Sequence, residues 1–474
     1  MTLLSIRNTA ATVLFSVAAA CTTVGPDYHV PVEAAVNRAA ASAPFRSAKE
    51  GPFTASGLPQ NWWRLYRNAT LDGLIDKAFA ANSDLRVAAA NLARSRALLD
   101  EAIEARNPEA VINAAPAYGR LSAAARGLNE PLPDGGFYDA GGNVSYQVDL
   151  FGKIARAVEA AGADTQAAEA AHDLARVAIA ADTARAYAAA CSTGQQIIVA
   201  RRSIDLQREF VQLTERLVRG GRGTALDTSR AYSQLEQLQA GLPPLQAQHR
   251  VAQYRLTVLT GEVPTVLSKD VEQCKSAPVL SSPVPVGDGA ALLRRRPDIR
   301  QAERSLAAAT ARIGVAVADL YPSITLGLTA GSTGPLADIG AANTFRWSLG
   351  PLISWTLPMT GPARSRVAQS EAASSAALAR FDAIVLNALN ETESALTIYA
   401  RELDRNASLK AARNHSALAS QQARTLYRYG RTDFLTTLDA DRSLASAESA
   451  LAASDAQLAS NQVGVFLALG GGWE

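Results

Sequence analysis

The chain is poor in the residue types that build reaction centres. Its three cysteines, Cys21, Cys191 and Cys274, stand too far apart for a C-x-x-C redox or metal site. Four histidines, at 29, 172, 249 and 415, show no metal-ligand spacing, so no metal site is expected. No G-x-x-x-x-G-K-[ST] and no G-x-S-x-G occurs, and no nucleophile–base arrangement is visible. The reading is therefore a non-enzyme without a cofactor, whose energy comes from a partner. Charge of one sign is also lacking. With 46 basic and 44 acidic residues the net charge is +2, which gives no basic stripe for nucleic acid. Aromatics make up only 6%, and the abundance of Ala suits close helix packing rather than a bulky core. No later run of about 18 apolar residues is seen, so no transmembrane helix is expected.

The N-terminus carries an address. Arg7 precedes an apolar stretch, 9–20, that is too short to span a bilayer. Ala18-Ala19-Ala20 then leads into Cys21. This looks like a bacterial lipoprotein signal, residues 1–20, with cleavage before Cys21 and acylation of that residue; Ala18 is smaller than the residue usual there. The alternative is an ordinary secretory signal cleaved nearby. Thr22 is not Asp, so by the usual sorting rule nothing holds the protein at the inner membrane.

What the chain has in abundance is helix. Residues 153–219 contain no Pro and two Gly, and are dense in good helix formers. As one helix they would run roughly 100 Å, far beyond the usual length of about 11–12 residues. Residues 363–428 form a twin without Pro or Gly. The twins lie in two halves that repeat each other. Asp84 recurs as Asp298 and Pro108 as Pro322. At a slightly shorter offset Tyr146 recurs as Trp355, Gly221 as Gly430 and Leu226 as Leu435. The division is an extended N-terminal segment, 21–70; a first repeat, 71–261; a Pro-rich linker, 262–290; and a second repeat, 291–474. Each long helix ends in a tight turn, 220–224 or 430–433. Return helices follow over 225–260 and 434–469.

Between the helices the period switches to two. Strands are expected at about 109–119, 143–150, 323–330 and 346–357. Val144, Tyr146, Val148 and Leu150 share one face; Ser145, Gln147 and Asp149 share the other. Such alternation fits a barrel strand with lipid outside and water inside. A small soluble sheet on a core would show the same period. Four strands cannot close a membrane barrel, and open edges are not tolerated in lipid. Several chains must then share one barrel. In an oxidising periplasm Cys191 and Cys274 are candidates for a disulfide; two unrelated thiols are the alternative. Arg294, Arg295 and Arg296 read as solvated residues at a helix start.

The chain resembles the outer membrane efflux proteins, TolC-like, in their NodT/OprM-type lipoprotein branch. The residues carrying the resemblance are 21–28, Trp62-Trp63, 148–153, 293–300, Leu320-Tyr321-Pro322 and 468–473. The resemblance implies an α+β membrane protein. It would be a homotrimer with one 12-stranded outer membrane barrel, four strands per chain, continued by a periplasmic α-helical coiled-coil barrel. It also implies a periplasmic adaptor and an inner-membrane pump of the RND type as partners. Outer membrane lipid and a covalent N-terminal lipid complete the set. Acidic and apolar residues early in the second return helix would ring the aperture, here Leu435 and Asp439. A surface pairing of Asp439 with Arg442 is the alternative. The tip turns, Gly220, Gly221, Arg222, Gly223, Thr224 and Gly430, Arg431, Thr432, Asp433, would meet the adaptor. The function so implied is a passive gated efflux duct for small molecules. A type I secretion duct and a structural periplasm-spanning lipoprotein are the rivals.

Overall fold

The computed structural model describes residues 23–120, 122–124, 127, 129–265, 269–280, 282–357 and 361–471. Cys21, the signal 1–20 and the closing residues 472–474 lie outside the described residues. In chain order the elements are β1 (Phe53–Thr54), α1 (Ala69–Ala81), α2 (Ser83–Glu104), β2 (Glu109–Gly119) and β3 (Gly135–Val148). Next come α3 (Lys153–Arg219), α4 (Ala225–Ala240), α5 (Leu242–Leu259), α6 (Lys269–Glu272) and β4 (Val284–Pro285). Then follow α7 (Gly289–Arg295), α8 (Pro297–Ala318), β5 (Ser323–Pro335), β6 (Phe345–Ser354), α9 (Pro362–Arg428) and α10 (Phe434–Ala468). The long helices α3 and α9 are each 67 residues and unbroken. Over that length Ala, Leu, Arg, Glu and Gln dominate, so propensity favours helix at nearly every position. By length and composition one window of α9 is apolar enough to cross a membrane. Polar and charged residues interrupt that helix, which contains no run of 18 apolar residues.

Two compact units divide the chain, and each takes pieces of both repeats. One contains residues up to Pro31, Leu92–Ala168 and Gln301–Phe381. Its centre is a four-stranded antiparallel sheet in the order β2-β3-β5-β6. Register is continuous from Glu109↔Ser145 through Gln147↔Thr325 to Leu326↔Pro351. Strands β3 and β5 outrun their expected bounds. Residues 135–142 and 331–335, read as loops, lie in these strands, and 137–141 pair with 331–335. Their glycines carry no side chain, so they show no alternation in sequence although the backbone ladder continues through them. In the same unit Arg156, on the first turn of α3, holds the N-terminal segment. Its Nε donates to Val24 O at 3.1 Å and its Nη2 to Asp27 at 2.7 Å.

The other unit contains Val32–Asn91, Glu169–Arg300 and the chain from Asp382 onward. Its core gathers Trp62, Trp63, Leu71, Ile75, Tyr187, Leu256 and Phe466. The Trp62 ring stacks on Phe466 with centroids 4.5 Å apart. The linker returns as β4 and pairs in parallel with β1, Phe53 opposite Val284. Asn82 Oδ1 accepts from the Asp84 and Leu85 N–H groups and caps α2. The first return helix is not the single helix expected over 225–260. It breaks at Gly241 into α4 and α5, where prolines occupy the opening positions of α5. Proline has no N–H to continue the ladder and clashes with the preceding turn.

The extended segment is tied down by a carboxylate. Glu393 Oε1 accepts from the Arg46 N–H at 2.7 Å and Oε2 from the Ser47 N–H at 2.9 Å. Burial pushes the Glu393 carboxyl up, but the Ser47 hydroxyl and the Ser47 and Arg46 N–H groups outweigh it and hold it below the ordinary 4.5. A depressed folded value means the contribution is full above the unfolded value and is lost as pH falls through the lowered folded one. Protease protection of residues 44–50 should therefore weaken below about pH 4.5. Glu393→Gln should weaken it already at neutral pH and flatten the acid dependence. An unchanged acid profile in that variant would assign the dependence to other groups.

Candidate functional site

The sheet has two chemically different faces. Ladder register puts Ile112, Val144, Tyr146, Val148, Ile324, Leu326, Leu328, Leu349 and Ile353 on one. Asn143, Ser145, Gln147, Thr325, Thr329 and Ser348 lie on the other. Every residue of β6 is exposed in the single chain, including Trp347 and Leu349 on the apolar face. No apolar core covers this face among the described residues. Among the described residues the outer strands β2 and β6 each have one neighbour in the sheet. Asp149, read as a polar-face strand residue, does different work. Its carboxylate accepts from the Ile154 and Ala155 N–H groups at 3.0 and 2.8 Å and caps α3, where a negative charge meets the helix dipole.

The backbone turns at the two helix tips repeat each other. Arg222 N–H donates to Leu217 O at 2.8 Å, and Arg431 N–H to Leu426 O at 2.8 Å. Gly221 and Gly430 both sit at positive φ, +75° and +70°, a conformation that costs other residues energy. Thr224 forms a capping box with Asp227. Asp433 plays the same part at the second tip, accepting from the Thr436 N–H at 2.8 Å. Hydrogen bonds from the Thr436 N–H and hydroxyl hold the Asp433 carboxyl below its ordinary value. Arg222 lies over Gly430, where an added Cβ would meet its guanidinium. Gly220, Gly223, Thr432 and Arg431 complete the two turns. Behind them Phe210, Tyr427 and Phe434 pack together, with the Phe210 and Phe434 rings 5.5 Å apart.

On α10 the faces separate sharply. Phe434, Thr437, Leu438, Asp441 and Glu448 are buried, whereas Leu435 and Asp439 are exposed on the opposite stripe. Leu435 is 53% exposed. The alternative pairing of Asp439 with Arg442 does not form: Arg442 Nε donates instead to Gln234 Oε1 at 2.8 Å. Among the described residues Asp439 has no ion-pair partner. The sequence reading missed its neighbour Asp441, which accepts from Arg424 and from the Ser420 hydroxyl at 2.8 and 2.6 Å. Three-residue spacing on a helix cannot tell an inward Asp from an outward one without knowing which stripe is packed.

Above the tips the sulfurs of Cys191 and Cys274 lie 2.00 Å apart, with Cα atoms 4.8 Å apart. Cys191 is fully buried in α3, and the pair ties the linker to that helix. The expectation that Arg294, Arg295 and Arg296 are all solvated is wrong for Arg296. Its side chain is 10% exposed. Its fork donates to Asp298 at 2.6 Å, Glu391 at 2.9 Å and Ala468 O at 2.9 Å. Three elements distant in sequence converge there, which no local pattern reveals.

A family model described as outer membrane efflux protein matches residues 74–262 and 290–471. The chain is 30% identical over 467 residues to the toluene efflux pump outer membrane protein TtgC of Pseudomonas putida, covering 94% of this chain and 92% of that protein. It is 28% identical over 460 residues to nodulation protein T of Rhizobium leguminosarum bv. viciae, covering 95% and 90%. The solved structure of the outer-membrane channel OprN superposes with a TM-score of 0.88 at 37% identity, over 95% of this chain and all of that one.

Proposed function

Because the chain belongs to the outer membrane efflux protein family, we propose that it is the gated outer membrane duct of a tripartite system that expels small molecules. The observation that carries this is the sheet, with its apolar face, its polar face and two unpaired edges. In lipid an unpaired edge leaves backbone groups unsatisfied at several kcal/mol each. Three copies, each giving four strands, close the edges into one barrel with polar side chains around a water-filled lumen. The long helices carry the lumen into the periplasm. The duct is passive: it lowers the barrier for polar solutes by replacing lipid with water, and the direction comes from an inner-membrane pump, of RND type.

In this reading Cys21 carries the lipid, and the tip turns 220–224 and 430–433 meet the periplasmic adaptor. Leu435 and Asp439 form the gate. Three exposed Asp439 carboxylates near the axis would favour cations and resist further narrowing, and Leu435, one turn away, adds an apolar ring. The disulfide between Cys191 and Cys274 holds the linker as a belt. The similarity to a toluene efflux pump component supports small molecules as cargo.

Two measurements test the reading. The first is conductance in a planar bilayer. Leu435→Ala with Asp439→Ala should raise the conductance of the resting channel severalfold; unchanged conductance would remove these residues from the gate. The second is mass spectrometry of crosslinked partners in native membranes. Capture of a proton-driven pump with its adaptor supports efflux. Capture of an ABC exporter would move the protein to type I secretion. Absence of conductance would bring a purely structural role forward.

A further inference from the structure

The sheet bears very few charges, and all of them fall on one face. Among the strand residues only Glu109 on β2, Asp139 on β3 and Arg346 on β6 are charged. Ladder register puts all three on the polar face with Asn143, Ser145 and Thr329. Arg346 and Asp139 form an ion pair although a whole strand, β5, lies between theirs. The residues between them explain how. Arg346 stands opposite Gly331, and Gly331 opposite Gly141. With no side chains at either glycine, the sheet surface is bare and the arginine lies across it to the carboxylate. Glu109 has no ion-pair partner among the described residues. It stands opposite Ser145, six positions along β3 from Asp139, or about 20 Å away at about 3.3 Å per residue.

We propose that these three residues set the ion preference of the duct where it crosses the membrane, a reading that rests on the barrel proposed above. Around a trimer the Arg346–Asp139 pairs form an outer ring of zero net charge. The Glu109 carboxylates form an inner, negative ring toward the helices. At about 0.1 M salt the Debye length is about 10 Å, so the two rings act independently. The outer ring is neutral only because the pair is intact. The inner ring gives the lumen a mild preference for cations, as rings of carboxylates do. Lumen-facing substitutions in such barrels tune selectivity while leaving the lipid face undisturbed.

The experiment is the reversal potential of the reconstituted trimer in about a tenfold KCl gradient around 0.1 M. It is made in the Leu435→Ala, Asp439→Ala background so that the tip does not dominate the resistance. Asp139→Asn bares three arginines and should lower the potassium-to-chloride permeability ratio roughly twofold or more; Arg346→Gln bares three aspartates and should raise it by a similar factor. The double variant restores a neutral ring and should return to the parental ratio, which separates charge from any structural damage. Glu109→Gln should bring the ratio toward unity. Equal ratios across all four variants would overturn the proposal, and so would a double variant that fails to revert. Absence of any conductance would instead strike at the channel reading itself.

Discussion

Arg296→Met is expected to destabilise the protein by about 3 kcal/mol or more, read as a shift in the thermal or denaturant midpoint. The guanidinium is almost fully buried and bonds three partners from different segments: Asp298, Glu391 and the Ala468 carbonyl. Removing one partner of a buried pair typically costs about 3–5 kcal/mol, because the charge left behind has neither water nor its mate. The lower end applies here. Glu391 is half exposed and regains water, and the Ala468 carbonyl keeps the Thr392 hydroxyl. Asp298 is the group left worst off. Arg296→Lys should fall between, since an ammonium is a point charge that cannot reproduce the fork. Hydrogen exchange should locate the loss around 465–471. A midpoint unchanged in Arg296→Met would mean that the carboxylates re-solvate completely and the cluster adds nothing.

The paired variant Cys191→Ser, Cys274→Ser is expected to cost about 4 kcal/mol. The two cysteines are 83 positions apart. In the chain-entropy account a loop of that size restrains the unfolded chain by about 4–5 kcal/mol, and native disulfides measure about 2–5. The loop includes α4, α5 and the linker up to Cys274. Its closure holds the linker on α3 as β4 comes back to β1. Intact protein denatured without reductant should present no labelled thiol at either position. After reduction both should label. Labelling of both without reductant would overturn the bond, and equal midpoints with and without it would overturn its contribution.

Much of the architecture was legible because it is written locally. The long helices follow from uninterrupted runs of helix formers, the tip turns from Gly221 and Gly430, and the two-faced strands from alternation at Val144 to Val148. The internal repeat brought the second half along with the first. Even the need for several chains follows from four strands that cannot close in lipid. The loss of signal came where residues are silent on their own. Gly141 and Gly331 have no side chain to alternate, so the strands were read short. Gly241 and the prolines after it interrupt the return helix, a break that the helix formers on either side conceal.

Packing between elements, not local pattern, chose the partners of the charged groups. Arg294, Arg295 and Arg296 are identical in sequence terms, yet Arg296 alone is buried against Glu391 and Ala468. Asp439 and Asp441 sit two apart, yet one faces out and the other is bonded to Arg424 and Ser420. Asp149 leaves its strand's pattern to cap α3, and Arg346 crosses two glycines to reach Asp139. Apart from the Asp149 cap, whose donors lie five and six residues on, the energy depends on which distant segment packs alongside. A period of two or of 3.6 fixes the direction a side chain takes from its own backbone, but not what it finds there.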